Sequence, residues 1–538
     1  MDYLLSVDVG TSSVRAALVS ARGKVGPIAV SPIQVWSPQP HFYQQSSEDI
    51  WQSVCKVVRD VTKAVNPDQI KGVGVDATCS LVALDSKHEP LTISPNGETN
   101  QNVILWMDHR AVDEATFINN TGHSVLDNVG GKISPEMETP KLLWLKTQLT
   151  ESCWNKAGLF FDLPDFLSWK LTGDETRSLC SLVCKWTYDA HKRCWNENFF
   201  EKIGLIDLKQ NQWRAIGTNV KNPGQSIGNG VSSEVSQQLG LNPRTPVSVS
   251  MIDAHAGALA LLATNAPGIA KDFESRLGMI CGTSTCHMAM ARTQVRVPGI
   301  WGPYYEVILA NTYLLEGGQS SAGKLLEHII DTHPATASIK IKLNTKELGP
   351  VVQYLNQVIE TKHSTEMTAE CHVWPDFHGN RSPLADPDMR GAIVGLTLDS
   401  SETNLVILYL ATIQALAYGT RHILDSIHRA NQNRRISTLL MTGGLAKNSL
   451  YVLTHADVTG CNLLCPLETE CMLLGCGMLA AGAGQVYATV EEAVREMASE
   501  ARVVKPQQEH ARFHDKKYRV FLKLMETQIE CRRLMQEL

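Results

Sequence analysis

The chain opens on an apolar run. Tyr3-Leu-Leu-Ser-Val-Asp-Val9 is the near-continuous hydrophobic stretch of a buried strand. Gly10-Thr11-Ser12-Ser13 interrupts it, and Val14 to Val19 resumes as a return strand. Residues 46–64 fit an amphipathic helix: Ser46 and Ser47 stand at the cap, and Glu48 and Asp49 fill the first turn. Ile70-Lys-Gly-Val-Gly-Val-Asp76 is a second strand of the buried type. Strands alternating with helices predict an α/β domain.

Near residue 271 the pattern starts again. Ser275 to Ile280 is strand-like, Cys281-Gly282-Thr283-Ser284-Thr285-Cys286 turns the chain, and His287 to Ala291 returns. A long helix is predicted over 402–429, then a strand over Thr438 to Thr442, then Gly443-Gly444-Leu445-Ala446-Lys447-Asn448. The recurrence of strand, Gly-Thr-Ser turn and return strand indicates two related halves. Ala266-Pro267-Gly268 punctuates the chain between them, giving an N-terminal domain over 1–266 and a C-terminal domain over 267–538. The tail from about 490 reads as charged and helical.

Composition narrows this picture. The 538 residues exceed one domain of ~100–200 residues, and 43% apolar content supplies large cores. A net charge of -6, with Lys and Arg spread along the chain, argues against a nucleic-acid partner. The start, MDYLLSVDVG, has no basic n-region, and no run of ~18 uninterrupted apolar residues occurs, so neither a signal peptide nor a membrane partner is expected. A cytoplasmic location is the matching expectation. The 14 cysteines include no Cys-x-x-Cys; close pairs include Cys180/Cys184, Cys281/Cys286 and Cys461/Cys465. Such spacing lacks zinc knuckles, so buried reduced thiols are expected in preference to a metal centre.

Candidate chemistry gathers at the turns. At Asp8-Val-Gly-Thr11-Ser12-Ser13-Val-Arg15, a strand delivers a carboxylate to a glycine turn rich in hydroxyls, a setting suited to phosphate oxygens and, through water, to Mg²⁺ on Asp8. An ordinary hairpin turn has the same letters. A second such turn at Gly282-Thr283-Ser284 favours two turns gripping a polyphosphate from opposite sides. Gly443-Gly444 follows a strand and precedes Lys447-Asn448, a frequent nucleotide contact at a sheet's carboxyl edge. No Walker A loop and no G-x-G-x-x-G is present. In Val247-Ser-Val-Ser-Met-Ile-Asp253-Ala-His255-Ala-Gly257, a strand hands Asp253 to the start of a small-residue helix. Asp253 reads as a cap, or as a base kept ionised, and so weak, by the helix dipole.

In order and spacing these turns resemble those of the FGGY carbohydrate kinases. Trp106-Met-Asp108-His-Arg110 looks like the W-x-D-x-R sugar-side motif of that family. Thr139-Pro-Lys-Leu-Leu-Trp-Leu145 is similar to one family signature, and Gly391-Ala-Ile-Val-Gly-Leu396 with Ala411-Thr-Ile-Gln414 to the second. Glu138, where a small residue or Pro is usual, and the long spacer after Leu396 depart from the signatures. The resemblance runs from about 3 to 485. It implies two actin/Hsp70-like (ribonuclease H-like) α/β ATPase domains with a cleft between them, closing over ATP and a sugar.

The ribulokinase-like branch fits best. Gly74-Val-Asp-Ala-Thr78-Cys-Ser80 stands where xylulokinases carry G-Q-x-H-G, and Leu315-Glu316-Gly-Gly-Gln-Ser320 resembles the E-x-G-Q-S segment of the branch. The resemblance makes Asp253 the catalytic base. It assigns Thr78, Asp108, Arg110, Lys185, Asp253 and Glu316 to the sugar, and Thr11, Ser12, Ser13, Arg15, Gly282, Thr283, Gly323, Gly443, Gly444 and Asn448 to ATP, with Mg²⁺ at Asp8. The expected reaction is phosphorylation of a ketopentose, D-ribulose foremost, to the 5-phosphate. Another pentulose or a pentitol as acceptor, or an actin-like switch without catalysis, are the alternatives. Plainer roles exist for the sugar-side residues: Trp106 in a core, Asp108 with Arg110 as a surface pair, Glu316 as a helix cap. A homodimer is left open.

Overall fold

The computed structural model describes residues 2–362, 365–431 and 435–536. Each half of the chain has one main sheet beside smaller ones, and the two main sheets share a topology. In the N-terminal half the strand order is Ala29–Pro32, Ser13–Ser20, Tyr3–Val9, Ile70–Ala77, Met251–Ile252. The first three are antiparallel neighbours, and the last two join in parallel. In the C-terminal half Tyr313–Gln319, Thr285–Ala291, Arg276–Cys281, Thr438–Thr442 and Asn462–Pro466 repeat this order and these directions. Trp301–Tyr305 and Ala501–Val504 extend that sheet at its edges. The short Gly-Thr-Ser duplication is therefore the visible part of a duplicated five-strand unit.

Local chemistry explains the elements. Tyr3–Val9 is buried from Leu4 onward, as its unbroken apolar run requires. Helix Ser47–Thr62 begins where the Ser46 hydroxyl accepts from the Asp49 amide, and lays Ile50, Trp51, Val54 and Val58 on the sheet. Helix Glu402–Ala430 is long and apolar enough by composition to cross a membrane, but most of it is buried in the core of the C-terminal half, beside Leu277, Met279 and Leu439.

Two helices join the halves. Asp253–Ala263 leaves the N-terminal sheet, and Cys471–Ala483 returns to it from the C-terminal half. Glycines permit the contact. A Cβ at Gly74 would stand 2.1 Å from the Cys476 carbonyl oxygen, and one at Gly475 would stand 2.0 Å from that of Ala256. A division at residue 266 is thus crossed by a late helix packed on early strands. The charged tail differs from the all-helical expectation. Ala501–Val504 is a strand paired antiparallel with Asn462–Pro466, because its alternating residues satisfy an open sheet edge. Helix Ala511–Gln536 then buries Tyr518 and Phe521.

Candidate active site

Three aspartates converge where the N-terminal strands end. Asp8 and Asp76 are register partners on parallel strands, and Met251 is the partner of Asp76 on its other side. Two residues later Asp253 opens its helix, with Oδ1 accepting from the Ala254 amide at 2.6 Å. The helix dipole does not keep this carboxylate strongly acidic, contrary to the sequence expectation. Burial, followed by the charge of Asp8, raises Asp253 to about 6. Asp76 is raised much further, by burial first and then by Asp8, and its Oδ1 is buried without a hydrogen-bond partner. Its Oδ2 receives the Cys476 thiol at 3.1 Å. Burial and mutual repulsion thus disfavour charge on these carboxylates together, a cost that a bound cation would offset.

One glycine turn follows Asp8 directly, and the other two belong to the facing half. Gly10 N–H donates to the Ser13 carbonyl at 3.0 Å, and Gly282 N–H to that of Ser284 at 2.9 Å, so both Gly-Thr turns close on their own backbone. Ser12, Gly282 and Thr283 are exposed, which leaves the Ser12 and Thr283 hydroxyls open to an anion. Gly323 N–H donates to the Gly282 carbonyl at 3.1 Å, which seats the start of helix Gly323–Thr332 on the second turn. Gly443 has φ 95°, and a Cβ there would lie 2.5 Å from the Cys281 carbonyl oxygen. Gly444 is exposed, with no atom within 4 Å of its would-be Cβ. Asn448 is brought beside this turn, but its side chain is already engaged. Its oxygen accepts from the Leu450 and Tyr451 amides and from Asn356, and its nitrogen donates to Tyr409.

Arg15 is also engaged. It bonds Asp8 through Nε at 2.8 Å and reaches Glu470 of the C-terminal half at 2.7 Å. It therefore orients Asp8 and ties the two halves, in place of the direct ATP contact expected of it.

On the sugar side, Lys185 Nζ lies 3.7 Å from Glu316 Oε1 and over the Trp301 ring at 4.5 Å. His255 Nε2 lies 3.2 Å from Glu316 Oε2. Glu316 is mid-strand in Tyr313–Gln319, so it caps no helix. Burial opposes its charge, but Lys185 and His255 bring it down to about 2. Lys185 is held well above its usual range by the same partner, against the effect of burial. Behind them His255 Nδ1 contacts Cys180 Sγ at 3.1 Å.

Asp108 and Arg110 are neither a surface pair nor free for a sugar. Both side chains are fully buried. The four acceptor positions of Asp108 are filled by the Tyr43 and Arg110 amides and by Arg110 Nε and Nη2, at 2.6–2.9 Å. Arg110 stacks over Phe42 and Trp144. The pair fixes the loop that carries Trp106, whose Nε1 donates to Thr11 Oγ1 at 3.0 Å. Thr78 shares a hydrogen bond with Ser80 at 3.1 Å, and its amide donates to the Val9 carbonyl.

Sequence reading gave no role to Asp76, His255, Glu136 or Arg381. Asp76 and His255 lie in segments that drew attention for other residues. Glu136 and Arg381, 3.4 Å apart across the halves, carry no local signal.

Comparison with known proteins identifies the family. Residues 3–260 match the model of the N-terminal domain of the FGGY family of carbohydrate kinases, and residues 277–484 match that of its C-terminal domain. A human FGGY carbohydrate kinase domain-containing protein is 47% identical over 99% of this chain and 98% of its own length. A D-ribulokinase of Saccharomyces cerevisiae is 35% identical over 90% of this chain and 72% of its own. Among solved structures, ligand-bound xylulose kinase from Lactobacillus acidophilus superposes with TM-score 0.81 at 17% identity, covering 98% of both chains. Plasmodium falciparum glycerol kinase with ADP gives TM-score 0.77 at 16% identity, covering 97% of this chain and 98% of that one. Matched by both domain models over most of its length, this chain belongs to the FGGY family of carbohydrate kinases and is a sugar phosphotransferase.

Proposed function

We propose that this kinase transfers the γ-phosphoryl group of MgATP to the terminal hydroxyl of a ketopentose, D-ribulose foremost, giving the 5-phosphate. The observation that carries the reading is a second polar centre near the start of the Asp253 helix, where Lys185 and His255 of the same half meet Glu316 of the facing half. A small polyol needs few partners; a ketose offers a carbonyl and several hydroxyls to a carboxylate and an ammonium. The D-ribulokinase among the relatives supports this choice.

Asp253 accepts the hydroxyl proton as the sugar oxygen bonds to the γ-phosphorus and the bond from that phosphorus to the bridging oxygen breaks, releasing ADP. Positioning dominates such loose transfers, and a base near neutrality suits the operating pH. Thr11, Ser12, Ser13 and Thr283 donate to phosphate oxygens, Gly282 lets the second turn approach them, and the Gly323 and Gly444 backbones border the nucleoside end. The hard oxygen set of Asp8 and Asp76, with one buried acceptor unpartnered, suits Mg²⁺. When bound, that ion supplies charge neutralisation for the phosphates. Closure of the halves excludes water, the competing acceptor.

The test is kcat/KM for D-ribulose, L-ribulose, ribitol, D-xylulose and glycerol at one MgATP concentration. D-ribulose is expected to lead, because a buried carboxylate left unpaired by a poorer analogue keeps its desolvation cost. A preference for glycerol or D-xylulose overturns the assignment. A preference for ribitol or L-ribulose replaces only the named sugar.

A further inference from the structure

Behind the sugar side, on the nitrogen of His255 that faces away from Glu316, lie two thiols that phosphoryl transfer does not use. Cys180, Cys184 and His255 are all buried, and one ligand atom from each lies within 4.8 Å of the others. Helix Leu179–Lys185 supplies both thiols, four residues apart and so on one face. Helix Asp253–Ala263 supplies the imidazole, whose Nδ1 already touches Cys180 Sγ.

We propose that these residues form a binding site for a thiophilic divalent cation of the zinc class. Two cysteines and one histidine are three ligands of a tetrahedral site, the fourth being a small exogenous donor. With Zn–S near 2.3 Å and Zn–N near 2.0 Å, such an ion holds its ligand atoms roughly 3.6 Å apart, within about 1 Å of their present spacing. The histidine is braced as metal ligands are: its other nitrogen meets the Glu316 carboxylate at 3.2 Å, which fixes the tautomer that frees Nδ1. A disulfide is the poorer use of the two thiols. Residues four apart on a helix hold their Cβ atoms about 5–6 Å apart, and a disulfide needs roughly 3.5–4.5 Å.

Each thiol gives up its proton as its sulfur bonds the ion. Occupation reaches the sugar side by one bond. A cation on Nδ1 makes the Nε2 proton a stronger donor to Glu316, drawing that carboxylate from the sugar and from Lys185. The site is therefore an inhibitory one, coupled to the acceptor and not to ATP. This coupling rests on the sugar-side role proposed for Glu316; the metal site itself does not.

The experiment titrates Co²⁺, then Cd²⁺, into the chelator-treated full chain without nucleotide, following absorption. The expected result is one equivalent bound, with the visible spectrum of tetrahedral cobalt and a thiolate-to-metal charge-transfer band. Cys194→Ser/Cys531→Ser, which removes the exposed thiols, keeps both features. Cys180→Ser/Cys184→Ser, checked for its fold by circular dichroism, loses them. Absence of the band from the wild-type chain overturns the site, whatever the variants do, and so does its persistence in folded Cys180→Ser/Cys184→Ser. In the loaded wild-type enzyme the sugar KM rises several-fold and the ATP KM does not change. A band with an unchanged sugar KM overturns the coupling and leaves the site standing.

Discussion

Lys185 and Glu316 meet at 3.7 Å from opposite halves of the chain, both almost fully buried. The contact makes the sugar side dependent on how the halves sit together. Glu316→Gln removes the charge and leaves Lys185 buried without its partner. A hydrogen bond to a charged group is worth about 1.5–3 kcal/mol, which corresponds to a rise of roughly 10- to 100-fold in the sugar KM. The ATP KM stays as it is. Steady-state kinetics with each substrate varied in turn checks this, and an unchanged sugar KM removes Glu316 from acceptor binding.

Asp253→Asn keeps the shape of the site and removes the proton acceptor. Sugar-dependent ADP release is expected to fall at least ~100-fold in kcat, while calorimetry still detects MgATP binding. Near-normal turnover in the folded variant would exclude Asp253 from proton transfer.

The pH response follows from the same residue. Burial and Asp8 hold Asp253 at about 6. A base must be ionised to work, so kcat/KM drops about tenfold per pH unit below that value. For stability the sign reverses. A carboxyl raised in the folded state contributes stability that is complete below the unfolded carboxylate range and lost as pH rises through about 6. Asp253→Asn cannot ionise, so it melts above the wild type at neutral pH, and the gap narrows as pH falls. Equal melting temperatures at neutral pH would contradict the burial argument.

The two glycines of the third turn separate folding from binding. Gly443 needs φ 95° and has the Cys281 carbonyl 2.5 Å from any added Cβ. Gly443→Val is expected to lower the melting temperature and weaken both ligands. At Gly444 nothing lies within 4 Å, so Gly444→Val meets only an incoming ligand. It should weaken nucleotide binding and spare sugar binding and stability. Separate titrations with ATP and sugar decide; equal loss of both ligands in Gly444→Val would show that this turn is structural too.

The repeated strand and turn could be read from the sequence because local signals encode them. Tyr3–Val9 and Arg276–Cys281 are apolar runs ended by glycine turns, and Asp253 stands at a change from strand to small-residue helix. What escaped depends on packing between distant segments. Asp76 is a site carboxylate because its strand lies between those delivering Asp8 and Asp253. Arg381 sits in a loop without periodicity and gains meaning from distant partners such as Glu136, 245 positions away. The Asp108–Arg110 motif was legible as a motif, but its burial under Phe42 and Trp144 turns it inward. The charge of the tail hid a strand, since an edge tolerates polar residues that a central strand would not.

Helix Cys471–Ala483 imposes an order on synthesis. Cys476 and Asp76 touch although 400 positions separate them. At ~5–20 residues per second, the first sheet leaves the ribosome tens of seconds before the helix that covers it. During that interval the faces of Tyr3–Val9 and Ile70–Ala77 that receive this helix stay uncovered, as they do in any fragment ending before residue 471. Until the helix arrives, the nascent first half carries uncovered apolar strand faces, the condition that makes partly folded chains prone to aggregate.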